Sequence, residues 1–251
     1  MAAARDISTT FVKGLSVLRA FDAENARLSF SDIARLCDLD RAAARRLVLT
    51  LEHLGYVRRQ GRTFALTPKV MVLAGGFLQS HQYGKRVQPV LDAISAQIDT
   101  PLSLAVLEEG EALYVAQARM EPGRVSFGFT VGSRLPLLPT AIGRALLARL
   151  PEEEAARLVA ESPLARHTPE TLPDRESVLE RVEEARRVGH AITRGEFEAG
   201  VAGLAVPVPG AAGQSFALGT SLAQAALTAE REANILQALQ DCARALAEGA
   251  G

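Results

Sequence analysis

The chain has 251 residues, of which 48% are hydrophobic and 23% are charged, and its net charge at neutral pH is −1. This length and composition are typical of one or two globular domains, each large enough to bury a core. No apolar run approaches the roughly 20 residues that span a bilayer, and the N-terminal stretch MAAARDISTTFVKG lacks the apolar segment of a signal peptide. We therefore expect a cytoplasmic protein with no membrane partner.

The charges are unevenly distributed along the chain. Residues 1–68 contain eleven Arg and Lys against seven Asp and Glu, a balance of +4, whereas residues 69–251 contain seventeen against twenty-two, a balance of −5. A basic N-terminal portion followed by a mildly acidic body suggests a small nucleic-acid-binding module attached to a domain with another role.

Two short helices are predicted before residue 40. The first runs from Thr9 or Thr10 to about Asp22, and its apolar residues are predicted to form one buried stripe: Phe11, Leu15, Leu18 and Phe21. The second begins after Ser29, which can cap it, with Asp32 three residues on as a reciprocal partner. The turn Asp38-Leu39 follows.

The helix predicted over residues 41–54 is the most informative, with Asp40 as its N-cap and Gly55 as its end. Its apolar face is Ala44, Leu47, Val48, Leu51 and Leu54, and its other face carries Arg41, Ala42, Ala43, Arg45 and Arg46. Guanidinium groups can pair with guanine edges or phosphates, and the alanines let the backbone lie close to the groove. A solvated Arg-rich face is the alternative for a lone helix, but the capped helix and short turn before it favour DNA recognition.

A β-hairpin is predicted after this helix, with strands 56–59 and 62–66 and a turn at Gln60-Gly61. Arg58, Arg59 and Arg62 cluster around its tip, where they can hold phosphates without specifying sequence. Two helices, a tight turn and a hairpin form a winged helix-turn-helix. We predict this domain over residues 1–67 and include Ser29 among its DNA contacts.

Residues 68–82 are predicted to be a linker helix, with one apolar side formed by Val70, Leu73, Ala74, Phe77 and Leu78. A small DNA-binding module usually needs a two-fold partner to cover enough operator, so this helix is also a candidate dimer contact.

Residues 83–251 are predicted to form an α+β domain. The predicted strands are 102–107, 112–118, 125–130, 191–194, 203–208 and 216–221, with helices at 141–150, 176–188 and from residue 228 onwards. Such an order favours a curved, mostly antiparallel sheet with one concave face.

No residue pattern in the sequence predicts catalysis, a cofactor or a metal site. The four histidines are scattered, and HExxH, CxxC, GxSxG and phosphate-binding glycine motifs do not occur. Cys37 and Cys242 are both interpreted as buried thiols, since a disulfide framework or a metal site would need more ligands.

The segment Leu138–Gly143 is the one predicted ligand site. It places the start of a helix directly after a strand, and its small residues leave backbone amides open to a carboxylate. The alternative is that Thr140 only caps its own helix, and both can hold because a cap uses only one or two amides.

Several stretches resemble the IclR-type bacterial transcriptional regulators. They are KGLSVLRAF, LDRAAARRLVLTLEHLGYV, VGSRLPLLPTAIGRALLARL, EEARRVGHAITRGEFEAGVAGLAVPV and FALGTSL, and the resemblance covers about residues 10–248. Within that family, AAARRLVLTLEHLGYV and GSRLPLLPTAIGRALLA look most like regulators of protocatechuate, p-hydroxybenzoate and β-ketoadipate catabolism.

The resemblance implies a winged helix-turn-helix, a linker helix and a GAF/PAS-like effector-binding and oligomerisation domain over residues 83–251. It implies double-stranded operator DNA, a small carboxylic-acid effector and self-association as a dimer or tetramer. The effector carboxylate would meet Thr140, Ala141, Ile142 and Gly143. The walls implied by the resemblance, together with nearby aromatic and basic candidates, are Phe127, Phe129, Arg134, Thr193, Arg194, Gly203, Thr220 and Leu222.

We expect a regulator that responds to an aromatic or dicarboxylic acid. Two alternatives stay open from sequence. One is a constitutive repressor whose second domain only oligomerises, which predicts a sheet domain without a pocket. The other is a small-acid enzyme carrying a DNA-binding regulatory module.

Overall fold

The computed structural model describes residues 6–22, 24–80, 83–118, 129–208 and 215–248. The chain divides into two compact units, Met1–His81 and Gln82–Gly251. No described helix is long and apolar enough to cross a membrane.

The first unit contains three helices, a hairpin and a fourth helix. Their bounds are α1 Thr9–Arg19, α2 Phe30–Leu36, α3 Arg41–His53, β1 Val57–Gln60, β2 Thr63–Leu66 and α4 Val70–Ser80. The core forms where α1, α2 and α3 meet β2, and its most buried members include Val17, Ile33, Ala44, Val48 and Phe64. The predicted winged helix-turn-helix architecture is confirmed.

Helix caps explain where α2 and α3 begin. Asp32 accepts the backbone N–H of Ser29 at 2.9 Å and the Ser29 hydroxyl accepts the Asp32 N–H at 3.2 Å, which completes a capping box. Asp40 accepts the Ala43 N–H at 2.8 Å. Hydrogen bonds donated by the hydroxyl and the backbone N–H of Ser29 lower the pKa of the Asp32 carboxyl group, and the Ala43 N–H lowers the pKa of Asp40. Both predicted caps are confirmed.

Four predicted burials in the first unit are wrong. Phe11 and Leu15 are 67% and 45% exposed, because the face of α1 that carries Gly14 and Val17 packs against α3 instead. Leu54 is 47% exposed because α3 ends at His53, one residue before it. Cys37 is half-buried rather than buried, whereas Cys242 is fully buried as predicted.

The hairpin turn lies one residue later than predicted. Gln60 pairs with Thr63, so Gly61 and Arg62 form the turn, and Gly61 takes a φ of +64° there. A positive φ at the first turn position is what a two-residue hairpin needs, and glycine adopts it without strain.

The second unit is built on a six-stranded sheet in the order β5-β4-β3-β8-β7-β6, with every neighbouring pair antiparallel. Its strands are β3 Ser103–Glu108, β4 Glu111–Gln117, β5 Arg134–Pro136, β6 Ala191–Arg194, β7 Val201–Val208 and β8 Phe216–Ala223. The predicted α+β class and antiparallel sheet are confirmed. The strand predicted over 125–130 is not among these: residues 125–128 lie outside the described part, and β5 is the strand that pairs with β4 at that edge of the sheet.

Helices cover both faces of this sheet. After one π-helical turn at Tyr83–Val87, they are α5 Gln88–Ile98, α6 Ala141–Leu147, α7 Glu152–Glu161, α8 Arg175–Val188 and α9 Ala229–Glu248. We call the face under α6 the inner face, and the face under α9 the outer face. Gly203 and Gly219 belong to the inner face, since a Cβ on them would meet Ala141 and Ile142 of α6.

The core of the second unit follows this division. On the inner side, buried residues of α6 and α8 such as Leu146, Leu147 and Val182 pack with inward residues of the sheet. On the outer side, Cys242 of α9 is buried, and this burial raises the pKa of the thiol to about 12, so the thiol stays protonated.

Candidate functional site

The basic face of α3 is exposed. Arg41, Ala42, Arg45 and Arg46 are all on the solvent side of the helix, while Ala44 and Val48 are fully buried opposite them. Asp38, with a φ of 51°, makes the sharp turn that sets α3 against α2, and the Leu39 N–H donates to the Ala34 carbonyl at 2.8 Å. The packing of α2 therefore leaves the first turns of α3 free to enter a groove.

Sequence reasoning grouped three wing arginines that the strand register separates. Arg59 pairs with Phe64 and lies on the inner side of the hairpin, whereas Arg58 pairs with Ala65 on the outer side and Arg62 is in the turn. The Arg59 guanidinium lies 5.0 Å from the Phe64 ring centroid and 3.5 Å from a carboxylate oxygen of Glu52. Arg59 is thus engaged within the protein, while Arg58 and Arg62 point to solvent.

Phe30, the first residue of α2, joins the recognition helix to the wing. Its ring centroid is 5.5 Å from the Arg45 guanidinium carbon and 5.8 Å from that of Arg59, and 4.7 Å from the Phe64 ring. Nothing in the sequence pattern pointed to Phe30. The Ser29 hydroxyl, a predicted DNA contact, donates to Asp32 at 2.7 Å as part of the helix cap.

A pocket of about 510 Å³, including its open mouth, lies between α6 and the inner face of the sheet. The lining residues are Tyr114, Phe129, Leu135, Thr140, Ala141, Ile142, Thr193, Phe197, Glu198, Val201, Gly203, Leu204, Gly219, Thr220 and Ser221. Of these, only Glu198 is charged, and it is exposed at the rim.

Glycines let α6 sit directly on the sheet. A Cβ at Gly203 would lie 2.9 Å from the Thr193 hydroxyl oxygen and 3.3 Å from the Ala141 Cβ. A Cβ at Gly219 would lie 3.1 Å from Ile142. The first turn of α6 therefore faces the pocket floor.

The Thr140 hydroxyl is occupied by its own helix. It accepts the Gly143 N–H at 3.1 Å and donates to the Pro136 carbonyl at 2.7 Å. The amides of Ala141 and Ile142 have no acceptor within the helix. The capping alternative therefore describes Thr140 itself, and these two amides are the donors left for a ligand.

Three aromatic rings form one wall of the pocket. Phe129 makes an edge contact with Tyr114, at 6.3 Å between centroids, and a tilted contact with Phe197, at 6.1 Å. Burial raises the pKa of the Tyr114 phenol to about 12, partly offset by hydrogen bonding with Ser103, so the ring stays neutral. Tyr114 and Phe197 were missed from sequence, since neither belongs to a recognisable motif.

Phe197 lies on the loop at residues 195–200, which is tied down by three side chains. The hydroxyls of Thr168 and Thr171 donate to the carbonyls of Gly195 and Glu196, at 2.7 and 2.6 Å. Arg144 of α6, which is 1% exposed, forms a two-pronged ion pair with Glu196. The aromatic wall is therefore fixed to the helix whose first turn faces the pocket.

The pocket brings together seven of the predicted effector residues: Phe129, Thr140, Ala141, Ile142, Thr193, Gly203 and Thr220. Thr220 contributes through its backbone side, since its hydroxyl donates to the Pro101 carbonyl at 2.6 Å. Gly143 lies behind the pocket against Leu137. Phe127 lies outside the described residues.

Three other predicted effector residues are not brought to the pocket. Arg194 is the neighbour of Thr193 in β6 and so points to the outer face, where it pairs with Glu232 of α9. Leu222 pairs with Ala202 and shares that outer face. Arg134 is at the sheet edge, 3.0 Å from carboxylate oxygens of both Glu109 and Glu111.

Among the described residues, no group of three or more His, Cys, Asp or Glu side chains is placed to hold a metal ion. The polar groups around the pocket are hydroxyls, amides and backbone N–H groups. They suit binding of an uncharged ring with an acidic group at one end.

Comparison with known proteins places both halves of the chain in one family. The IclR helix-turn-helix domain matches residues 10–61, and the bacterial transcriptional regulator IclR C-terminal domain matches residues 76–248. The Pca regulon regulatory protein of Pseudomonas putida is 34% identical over 84% of this chain and 73% of its own length. The p-hydroxybenzoate hydroxylase transcriptional activator of Acinetobacter baylyi is 33% identical over 84% of this chain and 80% of its own length.

Solved structures share the fold over nearly the whole chain. One from Rhodococcus sp. RHA1 is 32% identical with a TM-score of 0.82, covering 97% of this chain and 98% of its own. An IclR homologue from Microbacterium hydrocarbonoxydans, solved in complex with 4-hydroxybenzoate, is 24% identical with a TM-score of 0.78, covering 96% and 98%. The family domains span both units, and the curated relatives match across most of their length. The chain belongs to the IclR family of bacterial transcriptional regulators.

Proposed function

We propose that this protein regulates genes of aromatic-acid catabolism by binding operator DNA. When an aromatic carboxylate binds, the protein leaves the operator or changes its conformation on it. The observation that carries the proposal is the pocket under α6. Its walls are the rings of Tyr114, Phe129 and Phe197, and it ends at the free first-turn amides of Ala141 and Ile142. An apolar ring would lie between the aromatic residues, and its carboxylate would accept from the amides.

Two relatives named for the Pca regulon and for p-hydroxybenzoate hydroxylase, and a fold neighbour that holds 4-hydroxybenzoate, support this effector class. An open recess lined by aromatic rings and small residues disfavours the alternative of a constitutive repressor with a packed sheet domain. The proposal treats the chain as a regulator without catalytic activity, since the matched relatives are transcription regulators.

Arg41, Arg45 and Arg46 would read the major groove, with Ala42 and Ala43 allowing close approach. Arg58 and Arg62 would hold phosphates, and Ser29 would position the start of α2 beside the backbone. The site of action would be the bacterial nucleoid, in the cytoplasm, because operator DNA is the partner.

A second copy of this chain would cover the exposed apolar residues of the first unit. Phe11, Met71, Val72 and Leu73 are each more than half exposed, on α1 and on the predicted linker helix α4. Exposed apolar surface of this kind marks contact sites, and a two-fold operator requires a two-fold protein. Residues 1–67, 68–82 and 83–251 would then serve DNA binding, linking and dimerisation, and effector binding with further oligomerisation.

The proposal is tested by measuring acid binding and operator binding separately. Calorimetry with 4-hydroxybenzoate, protocatechuate and β-ketoadipate should show that at least one aromatic acid binds. Anisotropy of labelled promoter DNA from beside the gene should then change in midpoint when that acid is added, because a ligand shifts only an equilibrium whose two states it binds unequally. Absence of acid binding refutes the effector, and binding without any change in DNA affinity refutes the sensor.

The strand register of the wing predicts that its arginines contribute differently to the salt dependence of operator affinity. The logarithm of operator affinity falls as the logarithm of salt concentration rises. Replacing Arg58 or Arg62 with Gln should make this slope shallower by about 1 each, because one phosphate contact is lost. Arg59→Gln should leave that slope unchanged and lower stability instead by about 0.5–1 kcal/mol, since it loses its contact with Phe64. Operator titrations at several potassium chloride concentrations measure this.

The matched control is Arg157→Gln on α7, an exposed arginine of the other unit, which should change neither slope nor operator affinity. An equal fall in slope for Arg59→Gln and Arg58→Gln would show that Arg59 leaves Glu52 and Phe64 to hold a phosphate, contrary to the prediction.

A further inference from the structure

A second, more polar recess continues the aromatic pocket across the sheet. Its volume, including its open mouth, is about 330 Å³, and it shares Tyr114, Phe129, Gly219, Thr220 and Ser221 with the pocket under α6. The residues it adds are Pro101, Ser103 and Gln117. The cavity therefore runs from α6, above β7 and β8, to polar side chains on β3 and β4.

A β-bulge brings these side chains together. Leu104 pairs with Ala116 but Ala105 pairs with Tyr114, so Val115 is an extra residue in β4. Tyr114 and Gln117 are three positions apart and would face opposite sides of a regular strand. The extra residue lets both face the inner side, with Gln117 directly opposite Ser103.

The Gln117 amide is held in one orientation. Its Nε2 donates to the Phe129 carbonyl at 3.1 Å and to the Ser103 hydroxyl oxygen at 3.4 Å. Its backbone carbonyl accepts from the Gln88 side chain at 2.9 Å. Both amide hydrogens are thus used, and within the described residues Gln117 Oε1 has no donor. An acceptor is left at the polar end of the cavity.

We propose that Gln117 and Ser103 form a hydroxyl-binding subsite, and that the effector is a benzoate with a hydroxyl opposite its carboxylate. This inference rests on the proposed function, which supplies the carboxylate end. The distance across the sheet from β7, which lies under α6, to β4 is three strand spacings, or roughly 14 Å. Hydrogen bonds of roughly 3 Å at both ends leave room for one ring with polar groups at opposite positions. The ring hydroxyl donates to Gln117 Oε1 and accepts from Ser103 or from the Tyr114 phenol.

The test compares three acids of nearly the same shape by calorimetry on the full-length protein: 4-hydroxybenzoate, 4-methylbenzoate and benzoate. The wild type should bind 4-hydroxybenzoate roughly tenfold or more tightly than 4-methylbenzoate, because a methyl group displaces water from Gln117 Oε1 without donating a hydrogen bond to it. Gln117→Met keeps the side-chain length and removes the acceptor. It should bring the three affinities within about threefold of one another while benzoate binding persists.

Ser103→Ala is a second variant, expected to reduce the preference for the hydroxyl in part, by roughly threefold. The control is Gln237→Met on the exposed side of α9, which should keep the full preference. Retained benzoate binding shows in each case that the variant is folded.

The outcomes separate the two proposals. If the wild type binds all three acids equally, the hydroxyl subsite is wrong and the aromatic-acid effector stands. The same conclusion follows if Gln117→Met keeps the full preference for 4-hydroxybenzoate. If none of the three acids binds, the effector proposal fails and the subsite fails with it.

Discussion

Gly143→Ala is expected to destabilise the second unit by about 3 kcal/mol or more, at the upper end of what overpacking costs. The added Cβ would lie 2.3 Å from the Leu137 carbonyl oxygen and 2.4 Å from the Leu137 Cα. Both are backbone atoms, so no side-chain rotation relieves the clash, and either α6 or the segment after β5 must move. The first turn of α6 would move with it, and aromatic-acid binding should weaken as well.

Differential scanning calorimetry of the full-length protein measures this effect. For a unit of this size a loss of 3 kcal/mol corresponds to a fall in Tm of roughly 10 °C. Gly14→Ala on α1 is the matched control, because its Cβ would meet only Leu47 at an ordinary 3.9 Å. It should be neutral or stabilising by about 0.5–1 kcal/mol. A Gly143→Ala protein as stable as the wild type would show that α6 can separate from Leu137 at no cost.

Glu196→Gln is expected to cost about 3–5 kcal/mol, because it leaves the guanidinium of Arg144 buried without a counter-charge. The side chains of Arg144 and Glu196 are only 2% and 11% exposed. Arg144 also donates from Nε to the Leu138 carbonyl at 2.9 Å, so it cannot turn toward water without giving up that hydrogen bond. The same substitution should loosen the loop that carries Phe197 and weaken acid binding.

The double variant Arg144→Met with Glu196→Met distinguishes a charge effect from lost packing. Replacing a buried ion pair by apolar groups is often close to neutral, so the double variant should regain most of the stability that Glu196→Gln loses. Chemical denaturation of the single and double variants gives the coupling free energy. Glu161→Gln, which breaks the exposed pair with Arg157, is the control and should cost at most about 1 kcal/mol. A similarly small cost for Glu196→Gln would mean that water reaches Arg144.

These two sites fix the elements that surround the pocket. Gly143 fixes α6 to the segment before it, and Arg144 fixes α6 to the loop at residues 195–200. The amides of Ala141 and Ile142 and the ring of Phe197 are therefore held in place by adjacent residues of one helix. A preorganised pocket spends less of its binding free energy on ordering the protein.

The sequence by itself determined the parts of this protein that depend on local chemistry. Ser29 and Asp40 cap α2 and α3, Gly61 makes the wing turn, and the arginines of α3 are exposed because its apolar residues recur every three to four positions. Thr140 caps α6 as expected from its place between a strand and a helix. These features need only neighbours within a few residues, so sequence patterns identify them.

Tertiary structure alone decided which side chains meet. Register put Arg59 on Phe64 and turned Arg194 to the sheet face opposite Thr193. A single extra residue at Val115 brought Tyr114 and Gln117 to the same face. Side-chain direction in a strand alternates at every residue, so one bulge or a shift of one position reverses it. That choice is made by packing against distant elements, and no local pattern in the sequence records it.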